Sequence, residues 1–478
     1  MERLAKPYLL MGHLALLALT VLAAWFAEER VLLIDSAYQL FYDINHESIL
    51  VNDNRFSMVL SQLLPWLLIK LQVPLRWVIV GYSLSFMAIV YGCFLLTAYV
   101  LKNWRMATLM LFTLLGMRAT FFHCISETFQ LMFFAPMLYA LLCHEGRGIF
   151  YWIGLFMTTT AAFFIHPIAA FFIAFVVIFR WIDRHRFDWP MAIVSLLLVV
   201  CFTIKMLLGQ SGHDQSFVPT SETLGYALTH FFSLKSIEFF NIHFADFYLF
   251  PLLLWLLTLV GYARSRQWLK MTFVGLFVLG FFALSVVVYW QGDGPIGMER
   301  TYLPLFFFIG LAFLEDELPR LQKWQRSVFY ILFAVLIIVS LVRIGTSTRP
   351  YANRLSEIST IAAQARKEGQ QKLIVTRSTA EEIFPINIWG LALESMLYTA
   401  RDGADQTVTL YMEEDDFDRT DDDLYNNPDV YVSVNWWKRW EVKDLNSHYF
   451  RLPAQGYKEL LKIDNGYVLA DIVNTKEQ

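Results

Sequence analysis

Asp35 lies in the stretch VLLIDSAYQLFYD, directly after a long apolar run. A carboxylate at such a boundary, packed against an acceptor hydroxyl, serves as a general base. The same residue can instead cap a short helix that starts at Ser36. Asp43, Glu47 and Asp53 follow in the same stretch. Clustered carboxylates raise one another's pKa or hold a divalent metal ion, although this spacing matches no metal-binding pattern. Glu127, in HCISETFQLMFF, is a lone acid at the mouth of an apolar helix. It reads as a functional acid or as a favourable charge at a helix N-terminus, with Arg118 and His123 close enough in sequence to pair with it. His166, before Pro167, marks a turn and is a second proton-bearing candidate.

The cations divide in the same way. Arg300 stands in MERTYLP where an apolar segment begins. A guanidinium grips two phosphate oxygens at once, so Arg300 suits an anionic ligand; the alternative is a simple pair with Glu299. Arg55 and Lys205 are weaker versions of the same idea. The acidic run EEDDFDRTDDD at 413–423 is a candidate calcium chelator, but it lacks the regular spacing of an EF-hand loop and reads equally as a solvated loop. No phosphate-binding glycine loop, nucleophile elbow or zinc-protease signature occurs in a supporting context.

What must position these groups is membrane-like. Of 478 residues, 57% are hydrophobic and 17% charged, and the mean hydropathy is +0.46. Soluble domains carry about 25% charged residues. The composition excludes a disordered chain, a soluble enzyme and a nucleic-acid-binding protein, since a net charge of −4 offers no footprint for a polyanion. Residues 345–478 hold 15 Lys+Arg against 22 Asp+Glu and read as soluble, whereas residues 1–344 read as a transmembrane domain. The four cysteines, at 93, 124, 143 and 201, form no disulfide framework and read as packing residues.

Apolar runs predict eleven spans, at 8–26, 77–100, 106–122, 127–143, 149–165, 167–182, 189–208, 247–263, 268–290, 301–315 and 327–344. Lysine and arginine concentrate in alternate loops: Arg3/Lys6, Lys102/Arg105, Arg147, Arg180/Arg184/Arg186, Arg264/Arg266/Lys270 and Arg320/Lys323/Arg326. That side is expected to be cytoplasmic, with the N-terminus inside and the acidic tail outside. The first span reads as an uncleaved anchor. The absence of any N-x-S/T sequon disfavours a eukaryotic lumenal tail, so a bacterial cytoplasmic membrane is expected.

Three outer segments are long, at 27–76, 209–246 and 291–300. The first contains FSMVLSQLLPWLLIKL (56–71), read as an interfacial helix with Ser57, Ser61 and Gln62 on one face. The tail reads as a small α/β module. It opens with a helix at 351–367, followed by β-rich runs at 372–376, 407–412, 429–436 and 466–473 and a helical stretch near 386–400.

This organisation resembles the GT-C superfamily of membrane glycosyltransferases, which use polyprenyl-phosphate-linked sugars. The likeness covers about the first 345 residues. It lies in an acid opening the first outer loop (DSAYQ), the following amphipathic helix, the PLRWVIVGYSLSF start of the second span, SETFQLMFF at the fourth, and ERTYLP at the tenth. The expected fold class is an all-α polytopic bundle with a small C-terminal α/β domain outside the cytoplasm. The resemblance implies that Asp35 is the catalytic carboxylate, Glu127 the second acid, and Arg300 with His166 and Arg55 the donor-phosphate site. Asp43, Glu47, Tyr302 and Arg118 are candidates for supporting the acceptor, the sugar or a divalent metal ion. The implied partners are a polyprenyl-phosphate sugar, a glycan, lipid or protein acceptor, and the lipid bilayer. Two positions depart from the family pattern: Ala37 stands where many members have a second acid, and His166-Pro167 where many have a lysine. A transporter or flippase, or a polymerase of lipid-linked saccharides, is the competing reading. A transporter predicts a duplicated half and mid-membrane charges, and neither is evident in the sequence.

Overall fold

The computed structural model describes residues 2–209, 220–292, 294–415, 425, 427–434, 440–464 and 466–472. Most of the 413–423 acidic run, part of the 209–246 loop and the ends of two expected strands therefore lie outside the described residues.

The chain is 72% helical, with a small sheet near the C-terminus. In order come α1 (Glu2–Trp25), α2 (Ala27–Val31), α3 (Ile34–His46), α4 (Val59–Lys70), α5 (Leu75–Leu95), α6 (Trp104–Met110), α7 (Glu127–Cys143), α8 (Ile149–Ile165), α9 (Ala169–Arg184) and α10 (Trp189–Leu208). After these come α11 (Ser221–Thr229), α12 (Lys235–Ile242), α13 (Leu249–Arg264), α14 (Trp268–Val288), α15 (Pro295–Ala312) and α16 (Lys323–Thr346). The tail supplies α17 (Arg349–Lys367), α18 (Arg377–Ile383) and α19 (Leu391–Ala400).

Seven helical segments are long and apolar enough to cross a bilayer: Ala5–Trp25, Leu75–Val100, Trp189–Leu208, Phe244–Arg264, Trp268–Val288, Pro295–Glu317 and Lys323–Lys367. They mark a multi-pass membrane protein. Leu196, Val199 and Phe202 on α10 leave more than half of their surface bare, an arrangement that lipid tolerates and water does not. The other four expected spans form shorter helices, so helix length accounts for seven crossings rather than eleven. The 106–122 segment breaks after Met110 into 3₁₀ turns, Leu111–Gly116 and Ala119–Phe122. Gly116 lies against the Phe306 ring, and a Cβ there would fall 2.4 Å from Phe306 Cε2. Packing against α15 therefore fixes the path of this segment.

Two helices form the centre. Every residue of α7 from Glu127 to Leu142 is buried, and α15 is buried from Thr301 onward. Facing phenylalanines fill the space around them, including Phe172 with Phe307 and Phe308 at ring centroids 4.9 and 5.3 Å apart.

Helix α4 is inside-out by the standards of a soluble protein. Ser57 beside its start and Ser61 and Gln62 on it are buried, while Leu60, Leu63, Leu67 and Leu71 face outward. Gln62 Nε2 donates to the Leu50 carbonyl at 2.9 Å, and Ser57 Oγ to that of Ala161 at 2.7 Å. The polar face satisfies the loop beneath it and leaves the leucine face for lipid.

In the tail, β1 (Lys372–Thr376) pairs in parallel with β2 (Thr409–Glu413) and with β5 (Lys458–Ile463), and β5 pairs antiparallel with β6 (Gly466–Ala470). A separate two-residue ladder joins β3 (Val430–Tyr431) to β4 (Trp440–Glu441). Strand β5 was not expected from the sequence. The compositional boundary at 345 is also not a packing boundary: Ala37, Leu40 and Phe41 of α3 share one core with Leu391, Leu393 and Leu397 of α19.

Candidate functional site

Asp35 occupies the first turn of α3 but caps nothing. The N-cap is Leu33, which makes no side-chain cap hydrogen bond. The Asp35 carboxylate instead meets His123, with Oδ2 3.1 Å from Nε2. An ionised carboxylate only accepts, so Nε2 carries the proton. Almost half of the Asp35 side-chain surface is accessible (49%), whereas His123 is sealed at 4%. Protein nonetheless surrounds Asp35 closely enough for burial to raise its pKa. The hydrogen bond and charge of His123, together with the charge of Arg300, outweigh that effect and the net shift is downward. The carboxylate is thus both closely surrounded and open to solvent.

Glu127 sits one turn away in this network. Ser126 is the N-cap of α7 and accepts from Phe129 N at 3.4 Å, which leaves the Glu127 carboxylate free for other partners. Its Oε1 accepts a short hydrogen bond from Arg55 Nη1, and its Oε2 lies 3.9 Å from Arg300 Nη1. Arg55 Nη2 also approaches Asp53 Oδ2 at 3.9 Å. His166, just past the end of α8, accepts from Ile168 N at 3.2 Å through Nδ1 and adds its field at Glu127. The arrangement is graded. Glu127 and Arg55 keep only 10% and 11% of their side-chain surface accessible, and Arg300 keeps 27%. The deep pair is mutually neutralised, while Asp35 and Arg300 present opposite charges to solvent.

The loop carrying His123 is held from two sides. Glu299 Oε2 accepts from the backbone N–H groups of Arg118 and Thr120, each at 2.9 Å. Arg30, fully buried, donates from Nε to the Phe121 carbonyl at 3.0 Å and lies 4.1 Å over that ring. Glu299 is therefore committed to the 118–120 backbone and is not the partner of its neighbour Arg300. Adjacent helix residues point about 100° apart, so the two can serve different partners.

Asp35, Glu127, Arg300, Arg55 and His166 thus share one neighbourhood, and the remaining expected candidates lie elsewhere. Arg118 turns to Glu299 at 3.8 Å and lies over the Phe247 ring, not toward Glu127. His123 bonds Asp35 rather than Glu127. Tyr302 is in the core, donating to the Ser236 carbonyl at 2.8 Å. Glu47 pairs with Lys70 at 2.7 Å near the surface. Asp43 is completely buried, with Oδ1 accepting from Leu50 N at 3.0 Å and Oδ2 unbonded; burial pushes its pKa up to about 8. Asp43, Glu47 and Asp53 do not converge: Asp43 is buried on α3, Glu47 follows the helix end in a left-handed conformation and turns to Lys70, and Asp53 lies in the loop beside Arg55. Among the described residues, no group of three or more His, Cys, Asp or Glu side chains is arranged to hold a metal ion.

Sequence reasoning did not find three structural supports: the partnership of His123 with Asp35, the grip of Glu299 on its loop, and Glu394 of α19, which reaches back to Ile34. Only Glu394 carries a local signal, as a lone acid within LALESMLY. No family model, curated protein or solved structure matches the chain.

Proposed function

We propose that the protein is a GT-C-type glycosyltransferase. It transfers a sugar, with inversion, from a polyprenyl phosphate to a glycan, lipid or protein acceptor. The observation that carries this reading is a half-accessible, ionised Asp35 within the electrostatic reach of a partly accessible Arg300. Asp35 takes the proton of an acceptor hydroxyl while that oxygen attacks the anomeric carbon. The bond from the anomeric carbon to the phosphate oxygen breaks as the new glycosidic bond forms, and its electron pair leaves with the lipid phosphate. Arg300 faces the negative charge that grows there, where a fixed cation is most effective. His123 keeps Asp35 ionised and oriented. Glu127 holds Arg55 and Arg300 in place without approaching the acceptor. The outward leucine face of α4 supports a lipid-linked donor, since it offers an apolar path beside the site.

In this reading the chain crosses the membrane eleven times, with its N-terminus in the cytoplasm and its tail outside. The broken segment at 106–122 and the short helices α7, α8 and α9 complete the bundle within a bacterial cytoplasmic membrane. The test is transfer or release of radiolabelled sugar from polyprenyl phosphate by the purified protein, with Asp35→Asn alongside. The expected result is turnover by the wild type and a loss of at least about a hundredfold in the variant. Full activity in Asp35→Asn removes Asp35 as the base.

A further inference from the structure

Glu394 belongs to the C-terminal region, yet its Oε1 accepts the backbone N–H of Ile34 at 2.9 Å. The side chain is fully buried, and its Oε2 pairs with Arg354 Nε at 2.5 Å. Ile34 has φ +45°, a left-handed conformation that a β-branched residue resists. Such a conformation persists only where the surroundings over-determine it. Here they do so twice. Glu394 holds the amide, and Gly390, four residues earlier, packs on both: a Cβ there would sit 3.2 Å from Glu394 Oε1 and 3.4 Å from Ile34 Cα. The next residue is Asp35. Helix α3 lacks a side-chain cap of its own, so a distant carboxylate satisfies the orphan donor at its first residue.

We infer that Glu394 is a positioning residue: from the C-terminal domain it fixes the backbone of Ile34 and thereby aims the Asp35 carboxylate at His123. The inference rests on the reading of Asp35 as the base. It makes the tail a structural part of the reaction site rather than an appended module. Its requirement is specific. An acceptor oxygen must reach Ile34 N–H, whereas the charge of Glu394 serves only to balance Arg354.

Two double variants of the full-length protein separate these roles, because both remove the buried ion pair. Glu394→Gln with Arg354→Met keeps the acceptor, and Glu394→Ala with Arg354→Met deletes it. The first readout is the ring signal of His123 in isotope-labelled protein, assigned by its loss in His123→Gln. The second is turnover of polyprenyl-phosphate sugar. The Gln variant is expected to keep the wild-type His123 signal and a kcat within about threefold. The Ala variant is expected to shift that signal and lower kcat at least about tenfold, with KM moving less than about threefold. If the Ala variant does not fold, Gly390→Val presses on the contact between Glu394 Oε1 and Ile34 with every charge retained and is expected to move the same signal. A His123 signal unchanged in both the Ala and the Val variants overturns the inference, as does identical behaviour of the two doubles. A wild-type protein that turns over no lipid-linked sugar, with the His123 signal moving only where the Ile34 contact is lost, refutes the transfer reading and leaves the positioning role standing.

Discussion

Asp43→Asn isolates the energetics of the helix that bears Asp35. Asp43 has no exposed surface, and one of its oxygens has no hydrogen-bond partner. Its pKa, pushed up to about 8 by burial, stands against an ordinary 3.8 for the free side chain. In the folded protein the group is therefore neutral at pH 6, while in the unfolded chain it is ionised. Unfolding releases a proton between about pH 4 and pH 8, so stability falls as pH rises through that window and levels off above it. At about 1.4 kcal/mol for each pH unit between the two values, the ceiling is about 6 kcal/mol. Asparagine keeps an oxygen for the Leu50 amide and cannot ionise. The variant should match the wild type near pH 4.5 and melt progressively higher than it toward pH 9, by several degrees, in detergent-solubilised protein followed by tryptophan fluorescence. A difference in melting temperature that stays flat from pH 4.5 to 9, or that turns against asparagine at high pH, refutes the argument that Asp43 is neutral in the fold.

Three further outcomes are expected. Glu127→Gln takes the nearest counter-charge from a buried Arg55 and should destabilise the fold by about 3 kcal/mol, whereas adding Arg55→Met should restore the melting temperature without restoring sugar transfer. Tyr302→Phe removes only the bond to the Ser236 carbonyl, so it should cost about 1 kcal/mol in denaturation and leave transfer kinetics unchanged. Because Asp35 is held below the usual carboxylate range, the acid limb of the kcat/KM profile should lie at lower pH than an ordinary aspartate would give. The mutation His123→Gln should move that limb upward by removing the largest influence that lowers the pKa.

The parts of this architecture legible in the sequence are those set by local pattern. Apolar runs marked all seven long helices. The polar face of α4 was readable from Ser57, Ser61 and Gln62, and the β-branched runs at 372–376 and 407–412 became paired parallel strands. Strand β5 escaped because KELLKI mixes charge and leucine with neither period clear, and its assignment depends on the neighbour that β1 supplies. The break after Met110 escaped for a similar reason, since Gly116 needs the Phe306 ring to explain it. Chemistry followed the same divide. Residue type flagged Asp35, Glu127 and Arg300, but pairing did not follow sequence proximity. Arg118 and His123, the nearest candidates for Glu127, went to Glu299 and Asp35, and Glu127 went to Arg55 instead.

Long-range pairing of this kind has a common physical cause. A charge at the membrane rim has few waters to share and must find a counter-charge or a backbone dipole within hydrogen-bond reach. Each of the deep groups does so across a large chain separation: Arg30 on the Phe121 carbonyl, Glu299 on the 118–120 amides, Arg55 on Glu127, Glu394 on Ile34. Once these are satisfied, the accessible surface left in the cluster belongs mainly to Asp35 and Arg300. Those two carry opposite charges and both keep solvent access. Burial of the supports therefore leaves an anion and a cation with solvent access, so under the proposed transfer reaction removing a support should show first as altered turnover and only second as lost stability.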